Sequence, residues 1–277
     1  MSILPRSSGA STGTKQKSKS GPTTFKTFFE CWLVEQNQHL QDLVAISQTS
    51  TEEQSWCPVQ KVLDYYEHYY KAKDEWSKQD VLAMLSPSSW TSTFEAAFLW
   101  IGGWRPTMAF HLLYSKSGIQ LENQLYHLIH GLGKGDLGDL SPSQLVRIDK
   151  LQAKTVKEEK NISEKMAKYE GTLADSCMVK LTHMVSEMMR RGDGYEEGVG
   201  VEVEVEVEVE LAMELKKERL KEMLRRADDL RLKTLKALID IMTPSQGVHY
   251  LIAAAELHLR IHEWGKVRDG KRLSSLT

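Results

Sequence analysis

The sequence predicts an all-α fold: a single multi-helix domain of long antiparallel helices with a disordered acidic insertion. Apolar residues recur at spacings of three and four along most of the chain, which is the period of one face of a helix. Strict alternation, the pattern of a strand, is confined to the Val-Glu repeats of residues 201–210. A chain of 277 residues allows one large domain or two modest ones, and its length suffices for a sizeable core.

The first two helices are predicted from an apolar stripe and from a proline. Apolar side chains from Phe29 to Leu43 recur at helical spacing and predict a helix over residues 23–48. A second helix is expected over residues 59–85, where aromatic residues are frequent and helix breakers are few. It ends near Ser86-Pro87, because a residue that precedes proline avoids the helical conformation.

Shorter helices are predicted next. Thr91 or a neighbouring serine can cap a third helix, which Gly102-Gly103 ends, and Pro106 suits the first turn of a fourth. A fifth helix is expected near residues 121–129. The GxGxxG spacing within residues 133–138 is interpreted as a flexible loop, because a dinucleotide fingerprint needs a preceding strand and this segment follows a helix.

The second half of the chain predicts a helical hairpin around an acidic insertion. Ser141-Pro142 begins a long helix that reaches about Arg191, and the helical pattern resumes at Leu211. Thr243-Pro244 caps and starts the last helix. Residues 192–213 form the acidic low-complexity insertion, and we expect no fixed fold there because adjacent carboxylates on one face of a strand repel each other.

The predicted domain boundaries follow from these segments. Residues 1–22 are a disordered, basic, Ser-rich tail, residues 23–268 are the helical domain, and residues 269–277 are a flexible tail. The first tail contains six serines, four basic residues and no acid, a composition that organellar transit peptides share. It lacks an amphipathic apolar face, so we interpret it as a tail.

Charge and cysteine content exclude several classes of protein. With 36 Lys and Arg against 38 Asp and Glu, the net charge of -2 gives no overall attraction to nucleic acid or membranes. Three scattered cysteines argue against a disulfide framework or a cysteine zinc site and favour a reducing compartment. No apolar run reaches the about 18–20 residues that a transmembrane helix needs, so no membrane association is expected.

Motifs of catalysis and of direct DNA binding are missing from the sequence. We find no nucleophile elbow, phosphate-binding loop, HExxH pair or facing carboxylate pair, and therefore predict that the protein is not an enzyme. No recognition helix, and no basic region followed by a zipper, heads the chain. The basic residues of segment 266–272 are interpreted as a solvated helix end.

Four segments, taken together, resemble a known plant family. They are FECWLVEQN (29–37), FLWIGGWRPT (98–107), LSPSQLVRIDKLQ (140–152) and RADDLRLKTLKAL (226–238). In this order they resemble the plant germination-delay, or seed dormancy, domain family, whose domain also forms the C-terminal part of the TGACG-binding bZIP transcription factors. The resemblance covers roughly residues 24–268. It implies an all-helical, regulatory protein of seed dormancy and abscisic acid signalling.

The resemblance also implies partners and a location. It points to protein–protein interaction in the nucleus and also in the cytoplasm, with type 2C protein phosphatases and bZIP transcription factors as partners and a homo-oligomer as a further option. The resemblance implies that Phe29 and Trp32, at the start of the first helix, are interaction residues. The segment that contains them is more similar to the bZIP branch of the family. The basic region and zipper of the bZIP members are missing. The alternative function, transcription regulation on sequence-specific DNA, therefore requires bZIP partners or the domain's own surface.

The segment around Gly102-Gly103 has two interpretations. The glycines allow a tight corner between helices, Trp100 and Trp104 flank them, and Arg105 precedes Pro106 in an extended conformation. We interpret these residues as a structural corner with buried aromatic side chains, and a partner-binding motif is the alternative. Alanine at either glycine should destabilise the fold if that glycine has a positive φ.

Two histidines of the last helix are candidate haem ligands. His258 and His262 lie one turn apart beside an apolar stripe. The run LHLRIHEWG (257–265) resembles a segment for which haem binding is described in the family, so the resemblance implies haem as a cofactor. The two axial ligands of a haem lie on opposite faces, so only one histidine can ligate a given iron from an unbroken helix. A pair of hydrogen-bonded structural histidines is the alternative.

Overall fold

The structure is a computed structural model that describes residues 24–49, 56–128, 137–191 and 199–274. Within these ranges the chain is helical and contains no strand, which confirms the all-α prediction. The α-helices are α1 (Phe25–Thr49), α2 (Trp56–Ser77), α3 (Val81–Leu85), α4 (Thr93–Ala96), α5 (Met108–Leu128), α6 (Pro142–Gly171), α7 (Ser176–Arg191), α8 (Val199–Ile239) and α9 (Pro244–Ser274). Short 3-10 turns cover Leu137–Asp139 and Thr172–Ala174.

Helix starts follow the capping residues of the sequence. Ser141 and Gln144 form a capping box at the start of α6, as the Ser141-Pro142 signal predicts. The backbone N–H of Gln246 donates to the hydroxyl of Thr243 over 3.3 Å, so the predicted cap of α9 is also present. The third predicted helix is shortened to α4, which Ser92 caps rather than Thr91.

Three predicted boundaries differ in the structure. The helix expected over residues 59–85 is divided into α2 and α3, because Asp80 accepts a hydrogen bond from the backbone N–H of Ala83 and starts a new helix. The fourth and fifth predicted helices are one helix, α5, since no proline interrupts it. The single helix expected from residue 142 to 191 is divided into α6 and α7. Helix α6 ends at Gly171, because glycine has a low helix propensity, and Asp175 caps the start of α7.

The structure of the Val-Glu repeats differs from the prediction that residues 192–213 have no fixed fold. From Val199 onward the chain belongs to α8, so residues 199–213 are helical, whereas residues 192–198 lie outside the described residues. Glutamate is a good helix former, and the repeats continue into a strongly helical sequence. Just after the repeats, Lys217 stabilises α8 through ion pairs with Glu210 at 3.9 Å and with Glu214 at 2.5 Å. The period of two in the sequence therefore does not produce a strand.

The predicted termini are tested only in part. The tail over residues 1–22 and the glycine loop over residues 131–136 lie outside the described residues. The tail expected over residues 269–277 is helical up to Ser274, because α9 continues past the expected boundary at 268. No described helix is both long and apolar enough to cross a membrane.

The long helices pack antiparallel, as predicted. As the residue number rises along α1, the number of the contacted residue on α9 falls. Phe29 contacts His262, and Gln36 is hydrogen-bonded to His258. The pairs α2–α8 and α6–α8 show the same order. Each pair buries one apolar stripe against its neighbour, at about 1.5–3 kcal/mol for each fully buried large side chain.

The core has an aliphatic part and an aromatic part. The aliphatic part lies between α1, α2, α5, α8 and α9 and includes Leu43, Leu113, Leu238 and Leu251. The aromatic part lies at the start of α1, with α2, α3 and Trp90 around it. This aromatic part forms one side of the candidate site described below.

The two neighbouring valines of the repeat provide a test of the helical register. Val205 is 2% exposed and Val207 is 63% exposed, since residues two apart point in different directions from a helix. We expect Val205→Ala to lower the free energy of unfolding by about 1–2.5 kcal/mol, because it removes two buried methyl groups. Val207→Ala should change it by less than about 0.5 kcal/mol. Urea unfolding measures both values, and equal effects would contradict the helical packing of the repeat.

Candidate functional site

A cavity of about 230 Å³ lies where α1, α2, α8 and α9 meet the corner between α4 and α5. Aromatic residues form one large group in its wall, and ionisable residues form another. The aromatic residues are Phe29, Trp32, Tyr66, Tyr69, Tyr70, Trp90, Trp104 and Tyr250. The ionisable residues besides these tyrosines are Lys73, Glu95, Arg105, Asp228, Arg231 and His258.

The corner itself is a tight turn with unusual backbone angles. Trp100 and Gly103 exchange backbone hydrogen bonds of 2.7 and 3.3 Å. Between them Ile101 has φ of 45° and Gly102 has φ of 67°. Two central residues with positive φ are typical of a type I′ turn, and a β-branched residue such as Ile101 adopts this region only under constraint. The turn therefore needs support from outside its own residues.

Arg231 of α8 provides most of that support. Its Nε donates to the carbonyl of Trp104 over 2.7 Å, and its Nη2 donates to the carbonyl of Ile101 over 3.0 Å and also to that of Trp100. Its Nη1 donates to the carboxylate of Asp228. A planar guanidinium suits this task because its five N–H groups have fixed directions.

Lys73 of α2 bonds to the remaining carbonyl. Its ammonium donates to the carbonyl of Gly102 over 2.7 Å and to Asp228 over 3.0 Å, and its side chain is 2% exposed. Burial, aided by the charge of Arg231 and opposed by that of Asp228, lowers the pKa of Lys73 to about 8. We call Lys73, Asp228 and Arg231 the buried charge cluster. It contains two basic groups and one carboxylate.

The outer side of the corner is held by α6. The indole N–H of Trp100 donates to Ser163 over 2.9 Å, and the guanidinium of Arg105 lies 5.6 Å from the Trp100 ring centroid. Arg105 also forms an ion pair of 3.6 Å with the buried Glu159. Pro106 is buried just before α5. The structure thus brings together the predicted corner residues, and this geometry supports their structural interpretation.

Phe29 and Trp32 face the interior. Both are buried in the aromatic part of the core, and both line the cavity. Trp32 stacks on Tyr65 at a centroid distance of 5.1 Å, and the hydroxyl of Tyr65 donates to the carbonyl of Trp32. Burial raises the pKa of Tyr65, so it remains protonated at neutral pH. Phe29 and Trp32 are therefore part of the cavity wall, and their role in interaction stays a prediction.

Both predicted histidines are hydrogen-bonded through Nδ1. The Nδ1 of His258 lies 2.8 Å from Oε1 of Gln36, and the Nδ1 of His262 lies 3.0 and 3.2 Å from the carboxylate oxygens of Glu95. The acceptor oxygens require that each Nδ1 donates, which leaves Nε2 as the basic nitrogen of a neutral ring. Burial lowers the pKa of His258 to about 4, with His262 adding to the shift and Glu95 opposing it. His258 is thus neutral at pH 7.

Glu95 connects α4 to α9. Burial raises the pKa of its carboxyl group, but hydrogen bonds from His262 and Ser92 outweigh burial and leave that pKa below its ordinary value. Both the backbone N–H and the hydroxyl of Ser92 donate to Glu95 over 2.7 Å. The carboxylate therefore serves as the N3 side chain of a capping box and as the acceptor for His262.

The volume of the cavity beside His258 limits the predicted binding of haem. A histidine whose Nδ1 donates to an oxygen is oriented as metal-ligating histidines are, so the donor atoms suit a ligand role. The cavity that His258 lines, however, measures about 230 Å³. Sites that enclose a drug-sized ligand measure about 300–1,000 Å³, and a porphyrin is at least that large. The ring of Phe29 also lies beside both histidines, at 6.4 and 5.7 Å between centroids. The described arrangement does not fit a porphyrin.

Several residues of the site were not predicted from the sequence. They are Gln36, Lys73, Glu95, Asp228 and Arg231. A signal was present for the buried charge cluster. Lys73 continues the stripe of Val62, Tyr66 and Tyr69 at helical spacing, and Arg231 follows Leu224 and Ala227 in the same way. A charged residue on an apolar stripe indicates a buried and partnered charge.

Gly102 and Gly118 are a matched pair of glycines. A Cβ at Gly102 would lie 2.5 Å from the carbonyl oxygen of Met84, and its φ is positive. We expect Gly102→Ala to lower the free energy of unfolding by about 2 kcal/mol or more, since strain at a positive φ alone costs about 1–3 kcal/mol. In helix α5, Gly118 has open space around its Cβ position, so Gly118→Ala should stabilise the fold by about 0.5–1 kcal/mol. Thermal unfolding measures both, and an unchanged Gly102→Ala variant would contradict the turn geometry.

Haem binding through His258 and His262 stays a prediction of the sequence, which absorbance spectroscopy can test. Because the space does not fit a porphyrin, we expect haemin to give no Soret band that depends on these histidines. The parent is compared with the double variant His258→Ala/His262→Ala and with His183→Ala, an exposed histidine on α7. A shifted Soret band that only the double variant loses would contradict our expectation and would require α1 to move away from α9.

Comparison with known proteins agrees with the resemblance found in the sequence. The family model for seed dormancy control, DOG1, matches residues 37–115. Protein DOG1-like 3 of Arabidopsis thaliana is 30% identical over 261 residues, covering 87% of this chain and 83% of that protein. Protein DOG1-like 2 of the same plant is 28% identical over 255 residues, covering 88% and 90%.

A DNA-binding protein shares the same region. The TGACG-sequence-specific DNA-binding protein TGA-2.1 of Nicotiana tabacum is 27% identical over 243 residues, which cover 87% of this chain and 46% of that protein. The similarity to DOG1-like 3 extends over most of both chains. The chain therefore belongs to the DOG1 seed dormancy control family.

Proposed function

We propose that the chain is a non-enzymatic regulator of seed dormancy and abscisic acid signalling that acts by binding other proteins. Membership in the DOG1 family supports a regulatory role, and the relatives named above do not carry enzyme names. The observation that carries the binding mechanism is an exposed apolar surface on α4 and α9.

This surface consists of Phe94, Phe98, Leu257 and Trp264, and we call it the α4–α9 surface. The rings of Phe94 and Phe98 are 5.1 Å apart, and the side chain of Trp264 is 66% exposed. Leu257 and Trp264 are seven residues apart and so lie on the same face of α9. Exposed aromatic residues in a group mark interaction sites, and tryptophan is frequent among residues that dominate binding energy.

Helix α4 is fixed firmly to α9, so the surface has a defined shape. The backbone N–H of Thr93 donates to Asp269 over 2.9 Å, and the ammonium of Lys266 donates to the carbonyl of Thr91 over 3.0 Å. Gly265 allows this close approach, because a Cβ there would lie 2.0 Å from the hydroxyl of Ser92. A preorganised surface loses less conformational entropy when a partner binds.

Type 2C protein phosphatases and bZIP transcription factors are the partners that we propose, and the nucleus is the proposed location. The similarity to TGA-2.1 and to rice and wheat transcription factors supports the nucleus and the bZIP partners. The α4–α9 surface also allows self-association into a homo-oligomer. The proposal does not require an enzymatic activity of the chain.

A second candidate function is transcription regulation on sequence-specific DNA, through bZIP partners or through the domain itself. The observation that favours it is the match of TGA-2.1 over 87% of this chain. Specific DNA binding needs side chains that reach base edges in a groove. Of the basic residues near the end of α9, Lys266 is bonded to Thr91, which supports tethering by a partner over direct DNA binding.

Truncation of the α4–α9 surface tests the proposed function. We expect Phe98→Ala and Trp264→Ala each to weaken binding at least tenfold, the size of loss that a dominant interface side chain produces. Leu173→Ala is the matched control, since Leu173 is an exposed apolar residue between α6 and α7. Binding of purified type 2C phosphatase and purified TGACG-binding bZIP factor to the immobilised chain is measured by biolayer interferometry.

The same preparation separates the two candidate functions. A TGACG duplex added to the chain alone should not bind, whereas the duplex with the bZIP factor should bind and Trp264→Ala should abolish recruitment of the chain. Duplex binding by the chain alone would favour direct DNA recognition. Binding of both proteins that neither variant affects would contradict the role of the α4–α9 surface.

A further inference from the structure

One residue of the cavity wall, Trp32, has a buried indole N–H. The indole N–H of Trp32 is buried, and it finds no acceptor among the described residues. Trp32 lines the cavity, whose other walls are largely apolar. Buried donors are normally satisfied, and an unsatisfied one costs about 1–3 kcal/mol. Because this N–H has almost no accessible surface, a ligand in the cavity contacts the indole ring of Trp32 and not its N–H.

The buried charge cluster adds an attraction for anions. Lys73 and Arg231 carry two positive charges when protonated, whereas Asp228 supplies one negative charge, and the three residues line the cavity. Two of the three ammonium hydrogens of Lys73 are bonded to described acceptors, the carbonyl of Gly102 and the carboxylate of Asp228. An anion beside the cluster would balance its excess charge at low dielectric, where a charge–charge interaction is strong.

The walls and the volume of the cavity favour a small ligand with an aromatic ring. Eight of the described lining residues are aromatic, and aromatic rings favour offset or edge contacts with another ring. A volume of about 230 Å³ restricts the ligand to a small molecule. Met108 and Leu257 line the cavity and are exposed, so the cavity has an apolar mouth through which such a molecule can enter.

We propose that this cavity is a binding site for a small aromatic carboxylic acid. The carboxylate lies beside the buried charge cluster, and the ring lies between the aromatic walls. The indole ring of Trp32 is part of these walls. Of the four residues of the α4–α9 surface, Leu257 lines the cavity, whereas Phe94, Phe98 and Trp264 do not. Variants at Phe98 and Trp264 therefore test protein binding, and variants inside the cavity test binding of the acid.

Isothermal titration calorimetry with three probes tests the proposed ligand class. The probes are 1-naphthoate, its uncharged analogue 1-naphthalenemethanol, and the aliphatic acid octanoate. We expect 1-naphthoate to bind the full chain at one site, with the alcohol and octanoate at least tenfold weaker. Absence of 1-naphthoate binding would overturn the proposal. Equal binding of the alcohol would overturn the role of the charge cluster, and equal binding of octanoate would overturn the aromatic selectivity.

Variants locate the bound probe. Ala254 lines the cavity, so Ala254→Phe should fill it and weaken 1-naphthoate binding at least tenfold. Ala97→Phe is the matched control on an exposed site and should leave binding unchanged. Lys73→Met removes a positive charge but also a bond to the corner, so its folding must be checked by circular dichroism. Parent-like affinity of Ala254→Phe for 1-naphthoate would overturn the site.

Discussion

The corner between α4 and α5 depends on two basic side chains that reach it from other helices. Arg231 and Lys73 together bond to the carbonyls of four residues around a turn with two positive φ angles. Asp228 pairs with both of them. A buried charge is tolerated only when it is paired and hydrogen-bonded, and the loss of one partner typically costs about 3–5 kcal/mol. The corner, α2 and α8 are therefore stable only as one unit.

The same constraint creates the candidate site. Because the cluster occupies one side of the space between α2, α8 and the corner, the aromatic residues of α1, α2 and α9 enclose the remainder as a cavity. The hydrogen bond between His262 of α9 and Glu95 of α4 is part-buried, and Glu95 lines this cavity. Ser92 and Glu95 thus stabilise a helix start and the position of α9 at once. A change at any of these residues is expected to act on structure and site together.

Membership in the DOG1 family supports a regulatory role, and two features of the structure suit the binding that we propose. The α4–α9 surface has exposed aromatic residues on a rigid support, which suits a protein partner. The cavity has aromatic residues and an excess positive charge in its wall, which suits the small aromatic anion that we propose. Leu257 borders both, so the two kinds of ligand would contact neighbouring parts of α9. The porphyrin that the histidine motif suggests requires more space than the cavity has.

The sequence by itself determined the features that depend on neighbours along the chain. Caps such as Ser141 and Thr243, the apolar stripes and the glycines of the corner follow from local spacing and backbone chemistry. The Val-Glu repeat alternates as a strand does, so its local pattern did not predict its conformation. It is helical because it continues into the rest of α8. Only the tertiary structure decided the partners of His258 and His262, which lie 222 and 167 residues away in sequence. Such pairings, like the buried charge cluster, arise from the packing of whole helices, and no local pattern specifies which distant side chain will face a given charge.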